Sequence, residues 1–193
     1  VSRALIELVP IGKVDTEVLD FLALVLPETL PVFCRIRNHP VELEAAYHPL
    51  RQQYHSTALL AQLVRSHHNP AAKILGVTEV DLFIPILTFV FGEAQLGGTA
   101  AVLSVHRLDQ RFYGLPEDRR LFLERCEKEA LHELGHTFGL VHCPEFECVM
   151  HFSNSIEHVD LKSNAFCASC GRIVQDAIAH LASAAKASER RPS

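Results

Sequence analysis

The run His132-Glu133-Leu134-Gly135-His136-Thr137-Phe138-Gly139-Leu140-Val141-His142 decides how the rest of this 193-residue chain is read. Upstream of it, from Pro116-Glu117-Asp118, the apolar residues Leu121, Ala130, Leu131, Leu134 and Phe138 recur at helical spacing. The pattern predicts a long helix over about 117–138, with Gly139 as its natural stop. Residues four apart on a helix share a face one turn apart, so His132 and His136 can meet one ion at about 2.0–2.1 Å. Glu133, about a hundred degrees further round, reaches water on that ion and not the ion itself.

A third ligand must arrive from another direction. Gly139 has no Cβ and can adopt positive φ, turning the chain so that His142 returns beneath the helix end. Three histidines with an open fourth corner form the catalytic zinc pattern, unlike a closed structural site. Zinc acidifies its water and polarises a carbonyl. Glu133 then serves as general base and later passes the proton to a leaving amine. Peptide-bond hydrolysis suits these parts best. A lone helical histidine is more often an ordinary surface group, and 12 histidines give chance pairs at this spacing. Adding Glu133, Gly139 and His142 at fixed offsets lowers the chance match to on the order of one in ten thousand.

The six cysteines divide in two. Cys34, in a strand, and Cys126, in a helix, read as buried thiols. Cys143, Cys148, Cys167 and Cys170 crowd into the last third of the chain. The spacing of Cys167 and Cys170 lets both reach one ion, and Cys143 and Cys148 can fill the other two corners. That makes a closed structural zinc site, stapling a segment poor in apolar groups. Two disulfides are one alternative. Redox chemistry at Cys167-Ala168-Ser169-Cys170 is another, but it wants a strand before the helix and none is evident. Without a secretion signal, the reduced, metal-bound reading is preferred.

Before the helix, strands and helices alternate. A strand at 4–9 is stopped by Pro10-Ile11-Gly12. A helix from Asp15 or Thr16 runs to Leu26 on Val18, Leu19, Leu22 and Val25, and Pro27 ends it. Strands follow at 31–36 and 72–77, around a loop at 37–55 and a helix from Ser56 or Thr57 to His67. Segments 88–94 and 99–107, joined across Gly97-Gly98, read as neighbouring strands, and a last helix covers 173–187. The alternation predicts an α/β layer architecture of two subdomains, 1–138 and 139–193, forming one unit.

Composition sets the remaining bounds. The chain is 48% hydrophobic and 21% charged with a net charge of −5, which fits a globular domain, and no concentrated basic face for nucleic acid is visible before the C-terminus. Lys186, Arg190 and Arg191 read as solubility aids at the chain end. The apolar stretches 4–11 and 19–33 are too short or interrupted to span a membrane. A cytoplasmic monomer is the expectation.

The whole stretch 132–170 resembles the archaemetzincins, a branch of the metzincin zinc metallopeptidases. The resemblance is carried by HELGHTFGLVH, followed at once by CPEFECVM and later by CASC, about one fifth of the chain. It implies an α+β zincin fold: a twisted mixed sheet with an antiparallel edge strand, a long active-site helix, and a smaller C-terminal subdomain with a four-cysteine zinc site and terminal helix. It implies two zinc ions per chain, one catalytic and one structural. It makes Met150 the Met-turn residue beneath the catalytic metal, although the chain's only Met would by itself read as core filler. It also assigns 89–96 as the edge strand along which a peptide or protein substrate runs antiparallel. Several metzincins carry a Tyr soon after the Met-turn; His151 and Phe152 stand there here. The competing reading is a non-catalytic zinc protein that binds peptides or scaffolds a partner, with a fourth ligand from His106, His151 or His158. Spacing does not distinguish endopeptidase from exopeptidase action.

Overall fold

The computed structural model describes residues 4–67, 69 and 72–189; Arg190 and Arg191 lie outside them. The chain opens with strand β1 (Ala4–Ile11), helix α1 (Thr16–Thr29) and strand β2 (Val32–Ile36). A 3-10 turn leads into the short strands β3 (Tyr47–His48) and β4 (Gln53–His55), then helix α2 (Ser56–Ser66) and strand β5 (Ala72–Thr78). Strands β6 (Leu82–Phe83), β7 (Gly92–Ala94) and β8 (Ala100–Ser104) precede helix α3 (Arg119–Thr137). Helices α4 (Ile156–Leu161) and α5 (Ala168–Glu189) complete the chain.

The main sheet has the order β2-β1-β5-β8-β7. All its neighbours are parallel except β7, which runs antiparallel to β8 with Glu93 opposite Val102. This is the mixed sheet with an antiparallel edge that the resemblance implies. Period-two alternation places Ile6, Leu8, Leu75, Val77, Ala101 and Leu103 on one face, where they pack with residues of α1, α3 and α5. Val9, Ile11, Ile74, Ala100 and Val102 face the other way, against Leu59, Leu60 and Leu63 of α2.

Several boundaries differ from the sequence reading. Strand β1 continues through Pro10, because its pairing with β2 ends at Leu8–Ile36 and a missing N–H costs nothing on that side. Pro27 lies inside α1 and does not end it. An interior Pro costs about 3 kcal/mol, whereas burying Leu26 and Leu30 returns about 1.5–3 kcal/mol each. Leu26, not Val25, completes the buried face of α1. The expected loop at 37–55 contains β3 and β4, which join β6 in a second small sheet. Edge strand β7 is shorter than 89–96, although Val90 makes an antiparallel bridge to Leu82. Helix α5 starts at Ala168, earlier than expected, with the Gly171 N–H donating to the Cys167 carbonyl at 2.8 Å.

Candidate metal centre

Helix α3 starts where the Asp118 side chain accepts the Leu121 N–H at 3.0 Å. Its C-terminal half is buried on nearly every side, including Glu129, His132 and Glu133, so it is not a simple amphipathic surface helix. Buried charged groups are rare unless paired or functional. The helix ends at Phe138, and Gly139 has φ 93°, the left-handed turn that its missing Cβ permits. The hairpin between β7 and β8 is tied to this end: the Gly97 N–H donates to the His136 carbonyl at 2.8 Å, and Lys73 Nζ donates to the Thr137 carbonyl at 2.9 Å.

His132, His136 and His142 converge. One ligand atom from each lies within 4.8 Å of the others. His132 Nδ1 is 2.9 Å from the Val149 carbonyl and His136 Nδ1 is 2.7 Å from the Leu140 carbonyl. A carbonyl only accepts, so each Nδ1 carries its proton and each Nε2 presents a lone pair. Those two Nε2 atoms are 3.2 Å apart. Two lone pairs at that distance call for a cation between them, and nitrogens on tetrahedral zinc stand about 3.3 Å apart. Burial lowers the pKa of all three rings, strongly for His132, and so favours the neutral form that a metal requires.

Glu133 is buried beside this cluster, and burial followed by the negative charge of Glu129 raises its pKa well above the ordinary value. The carboxylate lies against Gly92 of β7, where a Cβ would come within 2.6 Å of the Glu133 side chain. Met150 is wholly buried, and a Cβ at Gly135 would collide with its sulfur, so the Met packs directly under α3 between the histidines' turns. The Phe152 ring is 5.0 Å from that of His142. None of the expected alternative ligands completes the triad: His106 Nδ1 meets the Glu79 carbonyl, His151 Nδ1 meets the Cys143 carbonyl, and His158 is exposed. A cleft of about 480 Å³ runs over the triad, lined by Phe89–Ala94 on the β7 side and by Val141, His142 and Phe152 on the other.

The four cysteines form a second cluster. The sulfurs of Cys143, Cys148, Cys167 and Cys170 lie within 4.8 Å of one another, and Cys143 and Cys167 sulfurs are 3.8 Å apart. A disulfide needs about 2.05 Å, whereas thiolates on tetrahedral zinc stand about 3.8 Å apart. The donor set therefore fits a metal better than two disulfides. The backbone N–H of Cys170 is the first of the influences that bring the Cys167 thiol down to about 7. Cys34 is half-buried and burial pushes its thiol up to about 12; Cys126 is fully buried and is pushed up for the same reason. Among the described residues neither joins a ligand cluster; Cys126 is the buried thiol expected, whereas Cys34 is only half-buried.

Residues not singled out from the sequence also belong here. Glu129, one turn before Glu133, lines the cleft and is ion-paired at 2.7 Å to the buried Lys162. Its spacing of four from Glu133 was the available signal. Glu93 of β7 lines the cleft too, and accepts from the hydroxyls of Ser56 and Thr57 at the start of α2. Nothing local marked that contact.

Comparison with known proteins agrees with the geometry. The model of peptidase family M54 matches residues 22–176. The archaemetzincin of Pyrococcus furiosus is 43% identical over 185 residues, spanning 90% of this chain and 94% of its own length. The crystal structure of the Methanopyrus kandleri archaemetzincin superposes with a TM-score of 0.79 at 38% identity, covering 92% of this chain and 97% of that one. That of Archaeoglobus fulgidus, solved with malonate, gives 0.75 at 39% identity, covering 88% and 99%.

Proposed function

Because the chain belongs to the archaemetzincins, a family of metzincin-type zinc metallopeptidases, we propose that it hydrolyses peptide bonds with Glu133 as the general base. His132, His136 and His142 would hold the catalytic zinc, and Cys143, Cys148, Cys167 and Cys170 a structural one, two ions per chain. The bound zinc supplies Lewis acidity, polarising the scissile carbonyl and acidifying water. Glu133 takes the proton from the attacking water and delivers it to the leaving amine. Burial raises its pKa, and a raised pKa makes the carboxylate a stronger acceptor for the water's proton. Val149 and Leu140, through their carbonyls, hold the first two imidazoles in the ligating tautomer. Gly139 turns the chain toward His142, and Met150 supports the site from beneath.

A peptide or protein substrate would lie along residues 89–96, antiparallel to the edge strand, with backbone hydrogen bonds supplying most of the hold. The placement of Glu133 against Gly92 brings that edge and the proposed base to the same spot. We take residues 1–138 and 139–193 as the two halves of one catalytic unit, working as a cytoplasmic monomer without nucleic-acid or membrane partners. Among the described residues no helix is long and apolar enough to cross a membrane.

One observation carries this reading: two Nδ1-anchored imidazoles aim their Nε2 lone pairs at one point 3.2 Å across, beside a buried carboxylate. Cleavage of a diverse peptide library by zinc-loaded wild type and Glu133→Ala tests it. Glu133→Ala is expected to keep its zinc while the rate falls about 10²–10⁴-fold, the usual worth of a general base. Wild-type cleavage rates in that variant would overturn the assigned base. Retained zinc with no cleavage by wild type would favour the scaffold reading.

A further inference from the structure

Beside the triad, Glu129, Lys162 and the hydroxyl of the half-buried Ser153 are buried polar groups that neither hold the metal nor move the proton. Glu129 is 3% exposed and lines the cleft. Lys162, just past the end of α4, is 2% exposed and lies outside the cleft lining, its Nζ 2.7 Å from Glu129 Oε1. Ser153 lines the same cleft, and its buried hydroxyl has no hydrogen-bond partner among the described residues. Apart from their ion pair, Glu129 Oε1 and Lys162 Nζ have none either. Native proteins seldom leave a buried polar atom unsatisfied, and the Ser153 hydroxyl, which unlike the Glu129–Lys162 pair has no partner among the described residues, calls for one that arrives from outside. The surrounding wall is apolar, with Phe89, Phe91, Val141 and Phe152. An apolar cleft with a few convergent polar atoms selects ligands by those atoms.

We propose that Glu129 and Ser153 form a specificity floor that selects a substrate side chain which is uncharged but donates a hydrogen bond, a hydroxyl or a carboxamide. The charges decide between the candidates. A carboxylate side chain would meet the acceptor-only oxygens of Glu129, while the ammonium of Lys162 sits behind them, out of reach. A cationic side chain would be desolvated against a carboxylate already neutralised by Lys162, with no gain to offset that cost. An aliphatic side chain would leave the Ser153 hydroxyl unsatisfied and cover the Glu129 carboxylate without offering it a donor. A neutral donor satisfies Glu129 and accepts from or donates to Ser153. Such residues are specificity-determining, and the proposal rests on the peptide-hydrolase reading above.

The test uses peptides differing only as Thr against Val and Gln against Met at each successive position, with Lys and Glu versions as charged controls. Affinity is measured on zinc-loaded Glu133→Gln, and cleavage on wild type. At one position Thr and Gln are expected to bind about tenfold more tightly than Val and Met, the low end of the worth of a hydrogen bond to a charged acceptor. Ser153→Ala should lower the Thr/Val ratio to the part owed to Glu129. Glu129 alone cannot be removed cleanly, since Lys162 would be left unpaired, so both are replaced as Glu129→Met with Lys162→Met. That double variant should turn the preference toward Val and Met. Equal binding of the matched peptides at every position, a preference for Lys or Glu, or a donor preference surviving both variants would overturn the proposal. Donor-selective binding without wild-type cleavage would instead sink the hydrolase reading and leave the floor standing.

Discussion

Gly92 shows how much a single missing methyl can control. It sits in edge strand β7, and only the absence of a Cβ lets the Glu133 carboxylate lie against the strand. Gly92→Ala would push that carboxylate away from where a peptide carbonyl and its attacking water would meet. We expect kcat to fall by about 10²-fold, the scale of a 1 Å misplacement, while the zinc content stays unchanged. Steady-state kinetics with metal analysis checks this; an unaltered kcat would mean that Glu133 tolerates the shift. From the sequence, His132, His136, His142 and Glu133 could all be read because helical spacing and Gly139 fix them locally. Gly92 could not, because its reason is a contact 41 positions away along the chain. Lys162 was equally hidden: nothing in its own neighbourhood foretells burial against Glu129.

Among the elements, α3 and α4 are locked by one residue pair. Arg125 of α3, almost wholly buried, donates to both carboxylate oxygens of Asp160 at 2.6 Å and to the Leu108 carbonyl at 2.9 Å. Asp160→Ala would leave a buried guanidinium with only its bond to the Leu108 carbonyl. A loss of about 2–3 kcal/mol is expected in denaturant unfolding, less than the about 3–5 kcal/mol of a wholly buried pair because Asp160 itself is partly exposed. A change under about 0.5 kcal/mol, typical of surface sites, would show the pair to be incidental. Helix α3 was legible to within two residues, whereas α1 runs three residues past its expected end and α5 starts five residues before its expected start. Helix α4 was not legible: it has six residues, too few for a period to emerge, and it is held by Arg125 rather than by its own pattern. The pairs β3–β4 and β4–β6 escaped for the same reason, being two or three residues long.

Across the whole molecule, the parallel sheet carries a buried acid at its far side from the cleft residues. Glu7 of β1 is 1% exposed, and Arg35, Arg37 and His39 gather around it, Arg35 at 2.6 Å. Burial alone would raise its pKa, but these partners overcome that and hold it below the ordinary 4.5. A carboxyl depressed in the folded state adds stability that is complete above the unfolded value and disappears as pH falls through the folded one. Thermal midpoints are therefore expected to drop below about pH 4.5, with Glu7→Gln flattening that part of the profile. An identical acid profile in the variant would assign the drop to other carboxyls. At this scale the sequence pattern already implied the layer architecture, since βα alternation leaves few topologies. It did not reveal that the two sheet faces have separate cores, because which face a strand residue joins depends on register with distant strands.

The most direct test is anomalous scattering at the zinc edge from crystals of the zinc-loaded chain. A peak bonded to Nε2 of His132 and His136 and to the His142 ring, with Glu133 close by but not coordinating and the fourth position free of protein, is the predicted result. A peak carrying a fourth protein ligand, or no peak among those three rings, would contradict it.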